Sequence, residues 1–201
     1  MRSKFLIVAI LGVLVGGLSA LLVDPNARRA LLGSGPPVST GKALIGGPFS
    51  LIDQNGRRVS ERDFIGRPML VMFGFTTCPD VCPAGLQVLT AAIERLGDAG
   101  KAITPVFVSL DPERDTSPKL KDYLSSFHPS LVGLTGTTEE VAAAAKAYRV
   151  YFKKVADEKG IGYTIDHSSF YYLMDRTGVF VTHAPHSTSA EALAVRLKSV
   201  L

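Results

Sequence analysis

The fold of this chain is decided by residues 69–83, which read MLVMFGFTTCPDVCP and contain the only two cysteines among its 201 residues. The unbroken apolar run at 69–75 predicts a central strand that is buried on both faces. The apolar stripe from Cys82 to about Leu96 predicts a helix. If that helix begins near Cys78, the cysteines stand at positions i and i+4, and their sulfur atoms converge. Such a pair closes a disulfide, exchanges one or holds a soft metal ion.

Outside this segment, turn residues and hydrophobic periodicity predict the remaining elements. They are a hairpin at 49–60, strands at 105–110, 131–134, 151–155 and 170–174, a hairpin partner at 179–182, and helices at 117–127, 138–149 and 189–201. This order predicts an α/β fold, a three-layer sandwich with a mixed central sheet. The cysteine loop then follows a central strand and begins a helix, which is the thioredoxin arrangement. The helix N-terminus there favours a thiolate and lowers its pKa.

Three features are predicted to meet at one edge of this sheet. The cysteine loop follows the first central strand, and an acidic loop at residues 111–116, with Asp111, Arg114 and Asp115, follows the second. His167 precedes the strand at 170–174, which starts at the same edge if it is antiparallel to its neighbours. We therefore expect His167 to approach the two sulfur atoms across 85 residues of sequence.

Two thiolates and one imidazole form a soft site of low coordination number, which suits copper as Cu(I) or Cu(II). Structural zinc takes four ligands, and the sequence offers no obvious fourth donor. The alternative for His167 is a hydrogen-bonded loop residue. Asp80, between the cysteines, either tunes the charge of the site or is simply solvated. His183 and His186, spaced by three, suggest a second metal clip, although core or surface roles are the commoner outcome.

The ancillary residues also have a structural interpretation. Asp111 and Arg114 form either a helix-capping turn with a local ion pair or a second layer that orients the cysteine loop. Asp115 belongs to the same turn.

The N-terminus carries a membrane signal. Residues 5–23 contain no charged side chain, and they are just long enough to cross a bilayer. Arg2 and Lys4 precede them, which predicts a cytoplasmic N-terminus and an exported C-terminal domain. We expect a retained anchor at 1–23, a tether at 24–45 and a folded domain at 46–201, in a bacterial inner membrane with the domain in the periplasm. A cleaved signal peptide is the alternative, and it exports the same domain.

Composition excludes one class of partner and weakens another interpretation of the cysteines. The net charge is +4 and no block of like charge occurs, so nothing supports nucleic-acid binding. Two cysteines in an exported domain usually form a structural disulfide. A disulfide between Cys78 and Cys82 would enclose only three residues and constrain the unfolded chain little. This favours a cysteine pair with a redox or metal-binding function over a structural disulfide.

These motifs together resemble the Sco/SenC family of membrane-anchored copper chaperones, which have a thioredoxin-like fold. The resemblance rests on four segments in this order: CPDVCP at 78–83, SLDPERDT at 109–116, LTG at 134–136 and DHS at 166–168. It implies that Cys78, Cys82 and His167 bind copper and that the acidic loop is ancillary. It also implies delivery of copper to the dinuclear copper A centre of cytochrome c oxidase subunit II, with a thioredoxin-like reductant and another copper donor as further partners.

Other functions remain open on the sequence. Some Sco/SenC members are thought to reduce the cysteines of subunit II or to act in redox signalling, so a dedicated thiol–disulfide oxidoreductase is the alternative. General thioredoxin-type enzymes use a shorter cysteine spacing and a proline before the facing strand, and residues 166–169 contain none. A peroxiredoxin is disfavoured because no proline stands in the residues just before Cys78. Whether the protein is an enzyme is left undecided, and a metallochaperone is favoured.

Overall fold

The computed structural model describes residues 44–157 and 162–201 of the chain. The predicted anchor and nearly all of the predicted tether lie outside these residues, so both remain predictions. Within the described part of the chain, every helix is too short or too polar to cross a bilayer.

Nine strands and four α-helices make up the described part, together with 3₁₀ turns at Glu61–Phe64 and Gly97–Ala102. The strands are β1 (Ser50–Asp53), β2 (Arg58–Ser60), β3 (Met69–Gly74), β4 (Thr104–Ser109), β5 (Val132–Thr135), β6 (Phe152–Asp157), β7 (Gly162–His167), β8 (Phe170–Met174) and β9 (Phe180–Pro185). The helices are α1 (Val81–Glu94), α2 (Ser117–Leu124), α3 (Thr138–Ala147) and α4 (Ala190–Lys198).

Seven strands form one mixed sheet in the order β2-β1-β5-β4-β3-β8-β9. Strands β3, β4 and β5 are parallel to one another. The outer strands pair antiparallel: β1 with β5, β8 with β3, and β9 with β8. Every residue of β3 and β4 is buried, because these two strands lie in the middle of the sheet with helices on both faces. The predicted mixed sheet is confirmed, and so are the buried central strands.

The two faces of β3 show the three layers. On one face, Met72 lies against Gly85 of α1, and α1 in turn packs on α4. On the other face, the ring of Phe73 packs against Tyr148, directly after α3, with the ring centroids 5.3 Å apart. Because side chains alternate along a strand, each face of the sheet has its own apolar layer. The sheet therefore lies between helices.

Strand β7 is the element that sequence reasoning did not predict. It pairs antiparallel with β6 in a separate two-stranded sheet, which we call the ribbon, and Phe152 lies opposite His167 in its register. Less polar side chains at Tyr163, Ile165 and His167 alternate with polar ones, which is the pattern of a strand. The charged and polar residues between them instead favoured a loop. The ribbon therefore places His167 at the end of a strand, where the sequence suggested a loop.

Candidate metal centre

The two cysteines lie at the carboxyl edge of β3. Helix α1 begins at Val81, so Cys82 is in its first turn, whereas Cys78 precedes it. The expectation that both occupy one helical face is therefore wrong, because a residue before proline is disfavoured in the helical conformation and Pro79 follows Cys78. The sulfur atoms converge by another route, since the Cys82 N–H donates to Cys78 Sγ at 3.4 Å. Cys78 thus accepts from a backbone amide of the first helical turn.

Glycine at position 74 makes room for the second sulfur atom. A Cβ atom on Gly74 would lie 2.8 Å from Cys82 Sγ and 2.9 Å from the ring of Phe107, and real Cβ atoms are not found that close. Cys82 is fully buried, whereas Cys78 is half-buried. The sequence signal for this contact is a lone glycine at the end of a buried strand.

The two thiols are free and have opposite acidities. A hydrogen bond from the Cys82 side chain, helped by the backbone of Cys82 and Asp80, lowers the pKa of Cys78 to about 5. The same hydrogen bond and burial raise the pKa of Cys82. Cys78 is therefore a thiolate at neutral pH, and Cys82 keeps its proton and donates it to that thiolate.

His167 lies beside the cysteine pair. Its Nε2 is 3.9 Å from Cys82 Sγ, and its Nδ1 is 3.0 Å from the carbonyl oxygen of Ser168. If Nδ1 carries the proton and donates it to this carbonyl, Nε2 presents a lone pair to the cysteines, as in metal-binding histidines. The ring of Phe75 packs edge-on against the imidazole at 5.9 Å and supports its orientation.

The three residues are neighbours but do not yet form a closed coordination site. Within residues 44–157 and 162–201, no group of three or more His, Cys, Asp or Glu side chains stands at metal-binding spacing. The role of Cys78, Cys82 and His167 as ligands therefore stays a prediction, and a bound ion would draw the donors together.

Asp115 anchors the cysteine loop to the sheet. This fully buried carboxylate accepts three hydrogen bonds, from the N–H and hydroxyl of Thr76 at 2.8 and 2.5 Å and from the hydroxyl of Ser109 at 2.7 Å. Lys119 Nζ lies 3.4 Å from the same carboxylate. Because Thr76 is two residues before Cys78, Asp115 holds the start of the cysteine loop against β4.

Asp111 and Arg114 fasten the ribbon that carries His167. The buried Asp111 forms an ion pair with Arg114 Nε and accepts a 2.7 Å hydrogen bond from the hydroxyl of Tyr163 in β7. Arg114 also donates to the carbonyl oxygen of Tyr163 at 3.0 Å, and its guanidinium lies 3.8 Å above the ring. We call these three residues the clamp. Sequence reasoning missed Tyr163, because its partners are about 50 residues away.

The remaining candidates lie apart from these contacts. The side chain of Asp80 is exposed and does not cap α1, although the residue is at the N-cap. His183 stands opposite Tyr172 in the register and packs against Phe170 at 5.1 Å.

The two histidines of the suggested second clip are separated by the sheet. His186 packs against Tyr171 at 4.7 Å, whereas His183 stands opposite Tyr172. Tyr171 and Tyr172 are consecutive in a strand and point to opposite faces. The two histidines therefore do not form a clip, which the sequence had already disfavoured, because spacing by three joins side chains on a helix but separates them on a strand.

The sequence matches the family model described as SCO1/SenC over residues 37–201. The chain belongs to the SCO1/SenC family. It is 37% identical over 198 residues to the SCO2-like protein of Rickettsia prowazekii, covering 98% of this chain and 96% of that protein. It is 46% identical over 159 residues to the mitochondrial SCO1 homolog 1 of Arabidopsis thaliana, covering 79% of this chain. The chain spans only 47% of the length of that plant relative and 60% of the length of Sco1 of Schizosaccharomyces pombe.

Solved Sco structures share the fold. Bradyrhizobium japonicum ScoI, solved with copper bound, is 45% identical to this chain with a TM-score of 0.72, over 78% of this chain and 99% of that one. Arabidopsis thaliana ScoI, also solved with copper bound, is 42% identical with a TM-score of 0.74, over 77% of this chain and 96% of that one. The predicted thioredoxin-like fold is confirmed by this likeness.

Proposed function

We propose that this Sco protein is a copper chaperone, which holds copper through Cys78, Cys82 and His167 and delivers it to the copper A centre of cytochrome c oxidase subunit II. The observation that carries the proposal is the 3.9 Å contact between Cys82 Sγ and His167 Nε2, beside a second free thiol. Two sulfur donors and one imidazole fit copper by their chemistry. Relatives with more than 40% identity have been solved with copper bound.

The geometry of the three ligands suits a copper ion that is bound and then transferred to a partner. The Cys78 thiolate is the first ligand, because its pKa is about 5 and its side chain is half-buried at the surface. Cys82 releases its proton to solvent when the ion binds, since only a thiolate is a ligand. Three ligands leave one side of the ion open, so ligands of the partner can join before those of the donor leave. Oxidation to a disulfide removes both thiolates, and the redox state therefore controls loading.

The place of action follows from the proposed topology. A single-pass anchor at 1–23 and a tether at 24–45 would hold the domain at 46–201 on the periplasmic side of a bacterial inner membrane. A thioredoxin-like reductant would keep Cys78 and Cys82 reduced, and another protein would donate the copper.

A dedicated thiol–disulfide reductase acting on subunit II is the second candidate. One observation favours it: a half-exposed thiolate at Cys78 lies next to a protonated resolving thiol at Cys82. This pair can attack a partner disulfide through Cys78 and release the reduced partner when Cys82 attacks the mixed disulfide.

Copper titration of the reduced full-length protein tests the chaperone proposal. We expect one copper per chain and sulfur-to-copper charge-transfer absorption with Cu(II), both lost in His167→Ala and Cys78→Ser. His183→Ala is the matched control, because that imidazole lies on another surface, and it should bind as the wild type does. Copper binding that is unchanged in His167→Ala would contradict the chaperone proposal and favour the reductase. Oxidised protein that binds copper with unchanged stoichiometry would contradict control by the redox state.

A further inference from the structure

His186 is partly buried, and both of its ring nitrogens are shielded from solvent. Among the described residues, neither Nδ1 nor Nε2 makes a hydrogen bond of normal geometry, and only a weak interaction with the backbone of Phe170 acts on the ring. Burial and the nearby His167 lower the pKa of His186 to about 4, so the ring is neutral at pH 7 and one nitrogen carries a free lone pair. Buried polar atoms are paired in the great majority of proteins, and an unpaired one calls for an explanation.

The sheet register places His186 at the edge where the cysteines lie. Pro185, the last residue of β9, stands opposite Phe170, and the His186 N–H donates to the Ser169 carbonyl oxygen at 3.1 Å. Ser169 is two residues after His167. His186 is therefore next to the turn that follows His167, at the carboxyl edge of β3.

The side chain of His186 is also on the same face of the sheet as Cys82. Its ring packs on Tyr171 at 4.7 Å, and the Tyr171 hydroxyl donates to the carbonyl oxygen of Gly85 in α1 at 2.8 Å. Gly85 is three residues after Cys82, and Tyr171 stands opposite Met72, which faces α1. Cys82 and His186 therefore lie on the face of the sheet against which α1 packs.

We propose that His186 is a fourth protein ligand, which joins Cys78, Cys82 and His167 around a divalent ion. This inference rests on the proposed function, because it needs the first three residues to bind metal. A Cys₂His₂ set satisfies the four-coordinate preference of Zn(II) and supplies a second nitrogen to Cu(II). Cu(I) is held by two or three soft ligands and needs no fourth. His186 therefore favours divalent ions over Cu(I) at this site.

The test compares His186→Phe with His183→Phe in the reduced, metal-free, full-length protein. Phenylalanine keeps the ring packing on Tyr171 and removes only the two ring nitrogens and their weak interaction with the Phe170 backbone, so His186→Phe should fold with nearly unchanged stability. We expect the Zn(II) affinity, measured by competition with a chromophoric chelator, to fall by at least about tenfold in His186→Phe. In His183→Phe it should stay within about twofold of the wild type. The Cu(I) affinity should change in neither variant.

Nitrogen hyperfine spectroscopy of the Cu(II) protein counts the imidazoles directly. Two coupled histidine nitrogens are expected in the wild type and in His183→Phe, and one in His186→Phe. A single coupled imidazole in the wild type, with Zn(II) affinity unchanged in His186→Phe, would overturn the proposal and leave the His186 nitrogens to buried water. Failure of the proposed function gives a different result, because copper binding would then be unchanged in His167→Ala as well.

Discussion

Loss of the Asp115 carboxylate should destabilise the domain. Asp115 is fully buried, and its three hydrogen bonds join Thr76, before the cysteines, to Ser109 at the end of β4. Each hydrogen bond to a charged group contributes about 1.5–3 kcal/mol, but the three share one acceptor and do not add. We expect Asp115→Ala to lower the free energy of unfolding by about 3–5 kcal/mol, as for other broken buried ionic networks.

The conservative variant Asp115→Asn separates the charge from the hydrogen bonds. Two of the three donors, the Thr76 N–H and the Ser109 hydroxyl, share Oδ2, and an asparagine oxygen at that position still accepts both. Only the charge and the third acceptor are lost, so a smaller cost of about 2 kcal/mol is expected.

Urea unfolding of the reduced protein measures this loss of stability. With an m-value of about 2 kcal/mol/M, Asp115→Ala should move the midpoint down by about 1.5–2.5 M. Asp122→Ala, which removes an exposed carboxylate from α2, is the control and should stay within about 0.5 kcal/mol of the wild type. An Asp115→Ala protein as stable as the control would refute the anchoring role of this residue.

Three further outcomes follow from the same site. The alkylation rate of Cys78 should rise as the pH passes about 5 and be level by pH 7, because the Cys78 thiolate forms near pH 5. An ordinary thiol ionises near pH 8.5, so its alkylation rate would still increase above pH 7. A Cys78 rate that rises steeply above pH 7 would contradict the prediction. Tyr163→Phe, which removes a hydrogen bond to Asp111, should cost about 1 kcal/mol or more in urea unfolding, and an unchanged midpoint would count against the clamp. Gly74→Ala should cost about 1–3 kcal/mol by thermal or urea unfolding, because its Cβ meets Cys82 Sγ; wild-type stability would show that the site has spare room.

Local patterns were sufficient to predict most of the fold. The apolar run of β3 and the stripe of α1 are dictated by neighbours in sequence, and so is the capping box in which Thr137 and Glu140 begin α3. The direction of β8 was a condition of the sequence prediction, and its antiparallel pairing with β3 brings His167 to the edge where the cysteines lie. The predicted anchor at 1–23 falls outside the described residues and stays a prediction.

By itself, the sequence determined the α/β order, the central strand and the cysteine pair, because each depends on contacts within a few residues. Only the tertiary structure decided that β8 is antiparallel and brings His167 to the cysteines, that Tyr163 fastens the ribbon, and that His186 shares a sheet face with Cys82 while His183 does not. These features arise from register and from packing between segments about 50 to 100 residues apart. Hydrophobic periodicity assigns a residue to an element, but it does not say which distant side chain lies opposite.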